Sequence, residues 1–156
     1  MDIIRLSCDK KEYLSLLLLG DEQESMIDRY LDRGEMYVGI HDNTAICVCV
    51  VTTETGFFEI KNLAVDPRFQ RKGYGRMMLE EIKRIYSGHQ LLVGTGETPS
   101  TLQFYNKCGF VYSHRITDFF TINYNHIIIE DGIILKDMIY LKSDNTATNH
   151  VTTPER

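Results

Sequence analysis

Between Leu63 and Arg76 the chain reads Leu63-Ala64-Val65-Asp66-Pro67-Arg68-Phe69-Gln70-Arg71-Lys72-Gly73-Tyr74-Gly75-Arg76, an apolar run that passes through a basic loop into a glycine-bearing segment. The chemistry these residue types suit is the binding of phosphate. Backbone N–H groups at a helix start have no acceptor within the helix and lie at the positive end of its dipole, and glycine lets an anionic oxygen approach them unobstructed. Arg68, Arg71, Lys72 and Arg76 gather four of the 17 basic residues within nine positions, in a chain of net charge -5. That local reversal of sign is what a ligand with several phosphates requires. The competing reading is a solvated basic loop with flexible glycines. No Walker loop is present, and Gly94-Thr95-Gly96, which resembles half of a dinucleotide fingerprint, has Pro99 at the third glycine position.

The elements that would position this loop follow from apolar spacing and punctuation. Ile3 to Leu6 reads as a strand. Asp9 with Glu12 reads as a capping pair for a helix ending at Gly20, and Asp21 with Glu24 opens a second helix, with Ile27, Tyr30 and Leu31 as its apolar stripe and Gly34 as its stop. Met36–Ile40 and Ala45–Val51 flank His41-Asp42-Asn43 as a hairpin. After the turn at Glu54-Thr55-Gly56, Phe57–Val65 is a third strand, closed by Asp66-Pro67. Met78, Ile82 and Ile85 mark a helix that stops near Ser87-Gly88, and Leu91 to Val93 is a short apolar strand. Ser100 to Lys107 is a further helix ending at Gly109. Phe110 to Ile116 is strand, residues around Asn123 and Asn125 form a loop, Ile127–Leu135 is a hairpin turning at Asp131-Gly132, and Met138–Leu141 closes the ordered part. Residues 1–142 are expected to form a single mixed α/β domain around one sheet, and Ser143 to Arg156, rich in Thr, Asn and charges, a disordered tail.

The loop Gln70-Arg71-Lys72-Gly73-Tyr74-Gly75 resembles the signature of the GNAT superfamily of acyl-CoA-dependent N-acetyltransferases: Gln or Arg, two residues, Gly, one residue, Gly or Ala. It follows a strand and Asp66-Pro67 and opens an amphipathic helix, as the superfamily's does. Phe104-Tyr105-Asn106-Lys107-Cys108-Gly109-Phe110 is similar to the family's later passage from helix to strand. The resemblance covers residues 35 to 116. It implies a mostly antiparallel central sheet flanked by about four helices and split where the cofactor binds, with acetyl-CoA beside the strand of residues 59 to 65. Backbone groups of Leu63, Ala64 and Val65 would pair with pantetheine. Gln70, Arg71, Lys72, Gly73, Tyr74, Gly75 and Arg76 would hold the pyrophosphate, and Asn106 is a further cofactor contact. Glu97, Thr98 and Ser100 stand where many members carry an Asn.

The implied reaction is acetyl transfer from acetyl-CoA to an amine by direct attack in a ternary complex. An amine is mostly protonated at neutral pH, so a base must take its proton. Glu59 is the candidate, with Glu54 and Glu97 as alternatives, and its plainer reading is a partner for Lys61 or an arginine. Tyr105 matches the family's general acid, which protonates the departing sulfur; with Leu102 on the same helical face it also reads as core. The acceptor is a small-molecule amine or a protein amino group. Phe119, Phe120, Tyr124 and Asn125 read as pocket, dimer contact or ordinary packing. A homodimer is one of the oligomeric states left open. The rival readings are a non-catalytic acyl-CoA-binding sensor or structural domain, and a nucleotide binder unrelated to CoA.

Composition excludes other classes. With 156 residues and 43 % apolar side chains, the chain is long enough to bury roughly 70 % of its unfolded surface without staples. Cys8, Cys47, Cys49 and Cys108 lack zinc or redox spacing, and the scattered histidines lack the spacing of a metal site. No metal is expected. A nucleic-acid partner is not expected either, given 22 acids against 17 bases. The longest apolar run near the start is Leu16 to Leu19, too short to span a membrane, and Asp2, Arg5 and Asp9 to Glu12 interrupt any leader-like stretch. The cytoplasm is the expected location.

Overall fold

The computed structural model describes residues 1–144. The chain divides into two compact units, Met1–Ile85 and the part beginning at Tyr86. In the first, β1 (Asp2–Leu6), β2 (Glu35–His41), β3 (Thr44–Thr53) and β4 (Phe58–Val65) pair antiparallel in chain order. Asp42 and Asn43 turn the β2–β3 hairpin with φ of 49° and 62°, the left-handed pair that matches the twist of the strands it joins. From Ile46 to Thr52, β3 is buried without interruption, the mark of a strand covered on both faces.

The region between β1 and β2 departs from the sequence expectation. A 3-10 turn covers Lys10–Tyr13 and only then α1 runs Leu14–Gly20, because Asp9 takes a left-handed φ of 55° and makes no capping bond. The second helix is shortened to α2, Glu24–Ile27, and the chain continues to Gly34 in turns. Those turns end on a cation: Lys10 Nζ donates to the carbonyls of Leu31 and Gly34 at 2.9 and 2.7 Å. α1 contacts β3 and β4. Leu17, Ile27, Met36, Val38, Val48 and Val50 form the core beneath it, where each fully buried aliphatic side chain contributes roughly 1.5–3 kcal/mol. Cys47 and Cys49 are buried too, and burial pushes the Cys47 thiol up to about 12 and Cys49 likewise upward, so both are neutral apolar filler. α3 (Tyr74–Ile85) contacts β3 and β4 and buries Met78, Leu79 and Ile82, whereas Ile85, expected in that stripe, is 38 % exposed.

In the second unit β5 (Gln90–Gly96) and β6 (Val111–Ile116) both pair antiparallel with β9 (Met138–Asp144). β9 runs past the boundary expected at residue 142, since Ser143 and Asp144 pair with Leu91 and Gln90. The rest of the expected tail lies outside the described residues. α4 (Pro99–Lys107) starts at Thr98, whose buried hydroxyl accepts from Thr101 N, and ends at Gly109, where φ is 92°. The stretch around Asn123 contains a helix that the sequence reading treats as loop, α5 (Phe119–Asn123), entered through Asp118 at φ 57°. β7 (Ile129–Glu130) and β8 (Ile133–Ile134) form the hairpin expected at Asp131-Gly132. Both units mix helix with antiparallel strand, so the α/β class and its mostly antiparallel pairing agree with the sequence reading.

Candidate active site

β4 carries an irregularity that re-aims its side chains. Val50 pairs with Asn62 but Val51 with Ile60, so Lys61 is an extra residue in β4. Cross-strand partners share a face. Glu59 therefore stands opposite Thr52, on the face of Val48 and Val50, while Leu63 and Val65 stand with Cys49 and Cys47 on the other. The Glu59 side chain is 9 % exposed and its Oε2 lies 3.1 Å from Lys61 Nζ. Glu59 is thus a buried carboxylate that pairs with Lys61.

The alternative carboxylates are otherwise engaged. Glu54 Oε2 accepts from the Thr52 hydroxyl at 2.7 Å and from Arg33 at 3.0 Å. The Thr52 hydrogen bond, assisted by Arg33, holds the Glu54 carboxyl below its usual range, which weakens it as a base. Glu97 takes a two-pronged contact from Arg115, with both N–O distances at 2.9 Å, and Arg115 also reaches Asp137 at 2.7 Å.

A network that the sequence reading does not contain lies behind β4. Asn62 Nδ2 donates to the Leu17 carbonyl at 2.9 Å and to the Tyr30 hydroxyl at 3.1 Å, and that hydroxyl donates to Asp21 at 3.0 Å. Burial and the Asp21 charge push the Tyr30 phenol far above its usual range, so it remains a proton-bearing donor. Asn62 Oδ1 has no hydrogen-bond partner and faces Gly20, where a Cβ would sit 2.2 Å away. The only sequence signal was a polar residue at an inward position of an apolar strand.

At the end of β4 the chain enters the glycine-bearing loop. Asp66 accepts from Arg68 N at 2.9 Å and pairs with the Arg68 guanidinium at 3.0 Å, which holds the Asp66 carboxyl below its usual range. Of the expected basic cluster, Arg68 is therefore already paired. Arg71, Lys72 and Arg76 are exposed. Gln70 Nε2 donates back to the Val65 carbonyl at 2.9 Å, closing the loop onto the strand. Arg71 and Gly73 have φ of 61° and 91°, a tight reversal that delivers the chain into α3, where Met77 N donates to Gly73 O at 2.9 Å. A Cβ on Gly73 would meet nothing within 4 Å, so the space beside this glycine at the start of α3 is open, and unpaired backbone N–H groups at a helix start suit a phosphate. Phe69, Tyr74 and His41 form an aromatic cluster beside it, their ring centroids 5.5–6.2 Å apart.

In the second unit, Tyr105 on α4 is 7 % exposed, edge-on to Phe104 and Phe110 at 5.1 and 5.8 Å. Its neighbour Asn106 is exposed. Among the described residues no group of three or more His, Cys, Asp and Glu side chains is arranged to hold a metal ion, and no helix is long and apolar enough to cross a membrane.

Comparison with known proteins bears on what this geometry serves. Residues 32–112 match the family model described as acetyltransferase (GNAT) domain. An uncharacterized N-acetyltransferase of Bacillus subtilis, YvbK, is 34 % identical over 139 residues, covering 85 % of this chain and 89 % of that protein. A GNAT family acetyltransferase from Elizabethkingia anophelis, solved with acetyl-CoA bound, superposes with a TM-score of 0.84 at 33 % identity, covering 91 % of this chain and 96 % of that one. An IAA acetyltransferase from Bacillus cereus superposes at 0.82 with 36 % identity, covering 91 % and 99 %.

Proposed function

The chain belongs to the GNAT acetyltransferase family, and on that premise we propose that it transfers an acetyl group from acetyl-CoA to an amine by direct attack within a ternary complex. What supports this most is the passage from β4 through the basic loop into α3, where left-handed Arg71 and Gly73, with open space beside Gly73, lead into a helix start near exposed cations. Acetyl-CoA, when bound, supplies an activated thioester. Gln70, Arg71, Lys72, Gly73, Tyr74, Gly75 and Arg76 hold its pyrophosphate through backbone amides and positive charge, and backbone groups of Leu63, Ala64 and Val65 orient its pantetheine arm, with Asn106 as a further contact.

Glu59 takes the proton of the incoming ammonium, directly or through water. Its support is chemical: a carboxylate buried in the strand beside the proposed pantetheine site is a group of the type that accepts a proton from an ammonium, whereas Glu54 and Glu97 are each held by an arginine. Tyr105 gives its hydroxyl proton to the departing sulfur. Its hydroxyl is an O–H donor, and the ring is held edge-on by Phe104 and Phe110. The acceptor is a small amine or a protein amino group. Buried thiols at Cys47, Cys49 and Cys108 suit a reducing compartment, which favours the cytoplasm.

The test is amine-dependent release of free CoA thiol, followed in a panel of small amines and peptides. Steady turnover with any acceptor supports the reading. Tight acetyl-CoA binding without turnover across the panel would favour a non-catalytic acyl-CoA sensor instead.

A further inference from the structure

The two halves of β4 disagree in register. From the turn, where Glu54 N donates to the Phe57 carbonyl at 2.9 Å, Phe58, Glu59 and Ile60 pair in order with Thr53, Thr52 and Val51. Continued regularly, that ladder would set Lys61 opposite Val50 and Asn62 opposite Cys49, with every later side chain on the other face of the sheet. Instead Lys61 is passed over, and Asn62, Leu63, Ala64 and Val65 pair with Val50, Cys49, Val48 and Cys47. An extra residue disrupts the ladder around it, so something must hold it at Lys61.

Asn62 is the first residue past the irregularity, and its side chain belongs to a closed ring of hydrogen bonds. The two hydrogens of Nδ2 go to the Leu17 carbonyl in the last turn of α1 and to the Tyr30 hydroxyl. That hydroxyl donates to Asp21, and the Asp21 amide donates to the same Leu17 carbonyl at 3.0 Å. Asn62 is 3 % exposed, and its Oδ1 packs against Gly20, where a Cβ would intrude. Slipping the far half of β4 by one residue would pull this amide out of the ring and turn Lys61 inward beneath α1.

The register matters because the two halves carry different parts of the proposed reaction. Glu59 lies before Lys61, and the backbone groups of Leu63, Ala64 and Val65 lie after it. One residue of strand is about 3.3 Å, so a slip would displace the groups that orient the thioester by a full step relative to the base. We infer that Asn62, through Leu17, Tyr30 and Asp21, is a positioning residue for acetyl transfer: it fixes the extra residue at Lys61 and thereby sets Glu59 in register with the segment that orients the thioester. The catalytic consequence rests on the proposed role of Glu59; the anchoring of the strand does not.

Asn62→Leu in the full chain is the test. Leucine has a similar shape, and both partners keep a bond without Asn62, the Leu17 carbonyl from the Asp21 amide and the Tyr30 hydroxyl to Asp21. The unfolding midpoint should therefore stay near the wild-type value. Amide hydrogen exchange, followed residue by residue, should speed up across residues 59–65 and not in β2. With an amine that supports turnover, kcat should fall by about tenfold to a hundredfold, the scale of a misplacement on the order of 1 Å, while KM for acetyl-CoA changes less. In a Glu59→Gln background the same substitution should add little further loss, because residues acting through one another are not additive. Tyr30→Phe, which removes one of the two bonds to Nδ2, carries the same test if Asn62→Leu fails to fold.

Unchanged exchange across residues 59–65 would mean that the cost of burying Lys61 holds the irregularity by itself, and would overturn the proposal. An equal loss of kcat in both backgrounds would overturn it too. If Glu59→Gln turns over at the wild-type rate, the base assignment fails, and the exchange result still decides whether Asn62 anchors the strand.

Discussion

Gln70 reaches back to the last residue of the strand before it, its Nε2 donating to the Val65 carbonyl at 2.9 Å. This bond joins the strand proposed to orient the pantetheine arm to the loop proposed to hold the pyrophosphate. A neutral hydrogen bond of this kind contributes about 0.5–1.5 kcal/mol net. Gln70→Ala should therefore cost up to about 1.5 kcal/mol of stability, and by releasing the loop from the strand should weaken acetyl-CoA binding as well. Calorimetric titration of the variant checks this; a large loss of stability with unchanged affinity would assign Gln70 to the fold alone.

Glu59 and Glu54 should separate in kinetics. Removing a general base typically costs about 10²–10⁴-fold in rate. Glu59→Gln should lower kcat by that order with acetyl-CoA affinity retained. Glu54→Gln, which touches the Thr52–Arg33 pairing, should leave kcat within a few-fold of wild type. Tyr105→Phe should lower kcat with acetyl-CoA affinity retained. If Glu59→Gln turns over at the wild-type rate, Glu59 is only the partner of Lys61.

Glu54 also makes a prediction about stability and pH. Its carboxyl is depressed in the folded chain below the ordinary 4.5, first by the Thr52 hydroxyl and then by Arg33. A depressed carboxyl contributes stability that is present above its unfolded value and lost as pH falls through its folded value. The difference in urea midpoint between wild type and Glu54→Gln should thus be full near pH 7 and shrink steadily below about pH 4.5. A difference independent of pH would contradict the assignment.

Gly20 is fixed by its neighbour rather than by its backbone. Its Cβ position lies 2.2 Å from Asn62 Oδ1, inside a network that also holds Tyr30 and Asp21. Alanine would normally favour a helix by about 1 kcal/mol, but here overpacking, typically about 1–3 kcal/mol, opposes and exceeds it. Gly20→Ala should lower the thermal midpoint by several degrees, on the order of 2–4 °C per kcal/mol, and Asn62→Ser in the same chain should restore part of the loss. A stabilised single variant would contradict the account.

Much of this was legible in residue types and spacing. The β2–β3 hairpin, the β4 strand and the Asp131-Gly132 turn come from local signals, since left-handed turn residues and apolar runs act over a few positions. The glycine loop was legible for the same reason. What local pattern did not carry is set by distant partners. Asp9 looks like a cap but turns left-handed, and the segment after α2 is held by Lys10 on two carbonyls rather than by a continued helix. α5 is entered through a left-handed Asp118 whose amide is bound by Asp137, 19 residues on. At the site, the extra residue Lys61 in β4 decides which face Glu59 occupies, and such an irregularity leaves no mark in composition.

The most direct measurement is thermal unfolding of the full chain with acetyl-CoA, CoA, ATP or NAD, each at roughly 100 times a plausible dissociation constant. Binding to the folded state alone would add about 2.7 kcal/mol, or roughly 5–10 °C for a chain of this size. The account predicts a shift with acetyl-CoA and CoA, none with NAD, and loss of both shifts in Gly73→Glu, whose carboxylate would fill the open space beside Gly73 at the start of α3 and repel a phosphate. Equal shifts with ATP, or no shift with either CoA species, would contradict the central claim and return Gly73 and its basic neighbours to a solvated loop.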